Sequence, residues 1–173
     1  NGAMADPGLL GLPSLPETGG APLIEWESAL PERLVQLRQL FAGLPGKAVA
    51  QFVGEPDRDL VMHAVFDALD CHFRPQGAKG WRDWPTRYHR PDSKAVARFA
   101  ADHANEVEFH LFVQALAQAG LATVQSRAKT AGMAIGLVGD LAVGVDPGGS
   151  DCWALGDVML RGLTIGAPPD PLG

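Results

Sequence analysis

Three side chains that commonly ligate metals fall at one helical spacing: His103, Glu106 and His110, at i, i+3 and i+7, project from the same side of a helix. Imidazole and carboxylate suit zinc or iron, and His63, His72 or His89 could complete the set. The spacing departs from H-E-x-x-H and from the E-x-x-H pairs of di-iron bundles. Phe99 and Val113 flank the same stripe, as they would if the histidines sat at the edge of a core. The core-edge reading is preferred, and no cofactor is expected; zinc or iron is the metal this trio would take.

A second constellation overlaps the first. Arg98-Phe-Ala-Ala-Asp-His103 resembles the R-x4-H element of HEPN ribonucleases. The resemblance implies that Arg98 and His103 act together on an RNA phosphate, in an all-helical bundle whose site forms across a dimer. Other catalytic signatures are missing: there is no G-x-S-x-G, no G-x-G-x-x-G following a strand and no G-x-x-x-x-G-K-[ST].

The stretch Arg74–Pro91 stands out by contrast. It holds Arg74, Lys79, Arg82, Arg87 and Arg90 against the single acid Asp83, a balance of +4 in a chain of net charge −6, so the remainder carries −10. Trp81, Trp84 and the only tyrosine, Tyr88, also fall here, among Pro75, Gly77, Gly80, Pro85 and Pro91, which interrupt any long helix. Arginines can hold a carboxylate or phosphate by forked hydrogen bonds while the rings stack on a flat partner. The competing reading tucks Trp81, Trp84 and Tyr88 under the loop as a small core and pairs the arginines with acids on the flanking helices.

Charge and composition bound the rest. A net charge of −6 argues against a broad nucleic-acid surface. Cys71 and Cys152 are too few for a disulfide scaffold and lie in apolar surroundings, which fits a cytoplasmic or otherwise reducing compartment and leaves one bridge open. The most apolar run, Ala131–Val145, is interrupted by Asp140 and is too short for a membrane helix, so no membrane partner is expected. Homo-oligomerisation is left open.

Asn1-Gly2-Ala3 ahead of Met4 reads as a cleavage scar, and residues up to 24 carry proline and glycine without a period, as a disordered tail would. Within them, Leu15-Pro16-Glu17-Thr18-Gly19 resembles the sorting motif of sortase substrates, a family that places it near the C-terminus before an apolar segment and a basic tail. A single globular domain is expected over 25–166, with a frayed end at 167–173.

Inside that domain, Pro31–Phe41 reads as a helix with proline in its first turn, and Lys47–Val53 as a short strand. A helix over 57–73 ends at Arg74-Pro75, and a second over 93–119, capped by Asp92 or Ser93, stops at Gly120. After 120, Met133, Ile135, Leu137, Leu141, Val143 and Val145 alternate with small or polar residues. Asp146–Ser150 reads as a turn and Cys152–Ile165 as a returning strand.

The sequence therefore predicts an α+β domain, with helices near 57–73 and 93–119 packed on a small antiparallel sheet formed mostly after residue 120; an all-α bundle is the alternative. For function, a non-enzymatic binding or protein-interaction module ranks first. Its acidic or phosphate-bearing partner would bind Arg74, Lys79, Trp81, Arg82, Trp84, Arg87, Tyr88 and Arg90. The alternative is a metal-dependent or HEPN-like hydrolase using His103, Glu106 and His110 or Arg98 and His103.

Overall fold

The computed structural model describes residues 26–140, 144–156 and 158–159, with side chains in the first helix described from Ala29 onward. The expected tail over 1–24, its sorting-like motif, the frayed end and the last part of the proposed returning strand lie outside the described residues.

Among the described residues, the regular elements are all helical: α1 (Trp26–Gly43), α2 (Gly46–Val53), α3 (Arg58–Phe73), α4 (Lys94–Asp102), α5 (Ala104–Thr130) and α6 (Ser150–Ala154), with three short 3-10 turns between α3 and α4. The expected α+β fold with an antiparallel sheet is thereby overturned. The described residues fall into two compact units, one combining those up to Asp57 with Glu108–Val138, the other Arg58–Val107 with those from Gly139 onward.

In the first unit, the 47–53 stretch is helical because its large apolar residues repeat at helical spacing: Val49, Phe52 and Val53 share a face, whereas a half-buried strand needs period two. They pack with Leu37 of α1 and with Phe109, Phe112 and Leu116, a single stripe along α5. Phe41 sets its ring edge against Phe109 at 5.6 Å between centroids, and Phe52 lies 5.8 Å from Phe112. Pro31 stands inside α1, not in its first turn, and removes one backbone donor there.

Gly120, expected as a stop, is buried inside α5. The helix runs on to Thr130 because residues 121–130 are mostly good helix formers, and Arg127 and Lys129 in the last turn suit its negative end. Gly132 ends it, at φ +92. There the Gly132 N–H donates to the Lys129 carbonyl at 3.0 Å and the Met133 N–H to that of Ala128 at 3.1 Å, the paired bonds of a Schellman stop.

Beyond Gly132, where alternation predicts a strand, a helix side chain takes the place of a neighbouring strand. The Gln125 amide donates to the Ile135 carbonyl at 3.1 Å and accepts the Leu137 N–H at 2.6 Å, while Lys129 Nζ donates to the Ala134 carbonyl. The segment is thus tied back to its own helix.

In the second unit, α3 buries Ala64, Val65, Phe66, Ala68, Leu69 and Phe73, and α6 packs against it. The expected single helix over 93–119 is two: α4 opens at Ser93, whose hydroxyl accepts the Val96 N–H at 3.2 Å, and closes at His103. The His103 N–H still bonds the Phe99 carbonyl, while its own carbonyl accepts from Glu106 and Val107 and so starts α5. One residue ends one helix and begins the next.

Candidate functional site

The basic, aromatic stretch is built from its rings inward. Trp81 and Trp84 are 4% and 3% exposed; Trp84 forms an aromatic core with Phe66, Phe73 and Trp153, at 5.3, 5.9 and 6.2 Å between centroids, while Trp81 meets His89 edge-on at 5.7 Å. The polar edges of two indoles reach backbone oxygens. Trp81 donates to the Pro147 carbonyl at 3.1 Å and Trp153 to the Tyr88 carbonyl at 2.8 Å.

The basic side chains mostly meet partners nearby. Arg74 pairs with Asp70 at 2.6 Å and Arg90 with Asp92 at 3.0 Å; Arg82 donates to the Pro147 carbonyl at 2.6 Å and lies over the Trp81 ring. The Lys79 backbone N–H donates to Asp83 at 2.8 Å, drawing the loop into a turn. The hydrogen bond from Arg90 holds the Asp92 carboxyl below the usual carboxylate range.

Arg87 and Tyr88 face a different setting. Together with His72, Lys94, Ala95, Arg98, Phe99, Asp102 and His103 they line a cleft of about 500 Å³. Three elements position it: the C-terminal end of α3, the last 3-10 turn (Thr86–Tyr88) and one side of α4, where Lys94, Arg98 and Asp102 recur every four residues. Phe99 is the buried floor. His103 stacks on it at 4.2 Å between centroids, His72 stands 5.4 Å from His103, and Tyr88 sets its edge to Phe99 at 6.1 Å. At the rim, Arg98 pairs with Asp102 at 3.4 Å, with both side chains exposed. The result is an aromatic floor edged by donors and acceptors.

The structure thus brings Arg98 and His103 into one cleft with Arg87 and Tyr88, a juxtaposition that sequence spacing alone does not give. Lys94, Phe99 and Asp102 were missing from the sequence-derived set, in which His72 entered only as a further ligand for the metal trio. The i, i+4 pairs Lys94/Arg98 and Phe99/His103 were the available signal. The helix break removes His103 from the register of Glu106 and His110, which stay one turn apart on α5, half-buried and buried. Elsewhere in the second unit, His63 Nδ1 and Ser150 Oγ are 2.8 Å apart, a contact that fastens α6 to α3, and within α3 His63 Nε2 is 3.5 Å from Asp67.

Comparison with known proteins bears on what the cleft belongs to. Residues 12–173 match the family described as 4-alpha-glucanotransferase, glycoside hydrolase family 77. A protein of Mycobacterium tuberculosis and one of Mycobacterium bovis, each named 4-alpha-glucanotransferase, are 49% identical to this chain over 90 residues, 52% of this chain and 12% of theirs. A Haemophilus influenzae protein of the same name is 29% identical over 132 residues, 73% of this chain and 19% of its own length. The chain therefore spans less than a fifth of the length of these relatives. These matches overturn the expectation of a non-enzymatic protein-interaction module, and with it the acidic or phosphate-bearing partner and the hydrolase alternative. The chain belongs to glycoside hydrolase family 77, the family of 4-alpha-glucanotransferases.

Proposed function

We propose that this chain is the part of a 4-alpha-glucanotransferase that helps to hold its α-1,4-linked glucan, with bond exchange carried by groups elsewhere in the longer protein. The match over residues 12–173 carries the reading. The reaction cleaves one α-1,4 bond and forms another, so configuration is kept. That chemistry asks for a carboxylate nucleophile and a carboxylic acid roughly 5–5.5 Å apart. Asp70, Asp92 and Asp102 are instead each paired with an arginine, an arrangement suited to fixing donors and acceptors for hydroxyl groups.

The test is product analysis. The full-length protein that contains this chain, given maltotriose alone, is expected to yield glucose together with maltooligosaccharides longer than the substrate. Maltotriose left unchanged, or cleaved to shorter sugars without any longer product, would overturn the reading.

A further inference from the structure

We propose that the cleft between α3, the last 3-10 turn and α4 is a binding subsite for an α-1,4-glucan chain, an inference that rests on the function proposed above. A glucosyl ring has an apolar C–H face and an equatorial fringe of hydroxyls, each both donor and acceptor. A complementary surface therefore needs a flat aromatic element beside paired donors and acceptors.

The cleft holds both. His103 lies with one face on the buried Phe99 ring and is itself exposed, next to His72, so the imidazoles form a supported platform. Arg98 and Asp102 stand 3.4 Å apart at the rim, which sets guanidinium donors beside carboxylate oxygens at about the separation of neighbouring sugar hydroxyls. Arg87, whose guanidinium lies 5.0 Å from the Tyr88 ring centre, is a further exposed donor on the facing wall. The volume of about 500 Å³ is enough for a di- or trisaccharide and falls within the roughly 300–1,000 Å³ of small-ligand sites.

The lining sets Arg87, Lys94 and Arg98 against the one acid Asp102, so charge alone would also admit an anion, and salt dependence separates the two ligands. Arg98 has its counter-charge in Asp102, and that pair offers a sugar hydroxyl both a donor and an acceptor. Binding of the neutral glucan should persist when salt is raised, whereas anion binding should fade.

The experiment titrates the chain with maltotriose and, separately, with cellotriose and inorganic phosphate, following the NMR signals of Tyr88, His72 and His103. Maltotriose should shift these signals saturably, equally at low and high salt, and more tightly than cellotriose. An Arg98→Ala variant should bind roughly tenfold or more weakly, the loss expected for a charged hydrogen bond. Its melting temperature should not change, because the Arg98 side chain is 84% exposed. His103→Ala should weaken binding too, by removing the platform.

The inference is overturned if maltotriose leaves these signals unmoved, if cellotriose binds as well, if Arg98→Ala binds as tightly as the parent, or if phosphate displaces the sugar. Its failure is separable from that of the family reading. Full-length protein that redistributes maltotriose while the cleft signals stay still removes the subsite and leaves the transferase. Protein that binds maltotriose in the cleft but does not redistribute it removes the transferase and leaves the site.

Discussion

Two irregular segments of this chain have opposite surroundings. Arg74–Pro91, basic and punctuated by proline and glycine, buries Trp81 and Trp84 and is fastened by the Trp81 and Arg82 bonds to the Pro147 carbonyl. The stretch after Gly132, apolar and alternating, leaves Ile135 and Val138 69% and 79% exposed and is held by side chains of α5. Lack of regular structure thus says little about burial. Two large rings with distant partners fix a loop more firmly than a row of aliphatic residues that lack a facing surface, since dispersion and burial both scale with contact.

The largest test of that contrast is truncation. Trp153→Ala, which empties the centre of the aromatic core, should cost about 3–5 kcal/mol in chemical denaturation of the chain, as large-ring deletions do. Val138→Ser should stay within about 0.5 kcal/mol, the range of exposed substitutions. Equal costs would erase the distinction.

A finer comparison uses the indole N–H groups. Trp84 Nε1 is buried and has no acceptor among the described residues, whereas that of Trp153 donates to the Tyr88 carbonyl. Phenylalanine at 84 removes an unmet donor, while at 153 it removes a bonded one and strands the Tyr88 carbonyl. Trp153→Phe should therefore destabilise by about 1–2 kcal/mol more than Trp84→Phe, read from the difference in denaturation midpoints at constant slope. On the other segment, Gly132→Ala forces a side chain into φ +92. It should cost about 1 kcal/mol, with loss of amide protection at Met133.

The smallest effect is electrostatic. Arg90→Gln should raise the titration midpoint of Asp92 toward the ordinary carboxylate value, as followed by its NMR shift. Because the folded-state pKa is the depressed one, the stabilisation from this pair is present above the unfolded pKa and is lost as pH falls through the folded value.

What could be read in advance was local. The Ser93 cap and the extent of α3 rest on neighbouring residues, which sequence displays directly. The burial of Trp81 and Trp84 depends on Trp153 and Pro147, more than sixty residues away, and no spacing within 74–91 encodes it. Alternation at 133–137 was genuine but incomplete as a signal, since a strand also needs a partner for its backbone, and here Gln125 supplies the bonds. In the cleft, Arg98 and His103 were legible as a pair. The contribution of His72 and Tyr88 depends on how α3 and the last 3-10 turn approach α4.

The most direct measurement is solvent exchange of the indole N–H protons in the ¹⁵N-labelled chain. Burial of the basic segment's rings predicts slow exchange for Trp81, Trp84 and Trp153. Exchange of Trp81 and Trp84 at the rate of free indole would contradict it and return those rings to the surface.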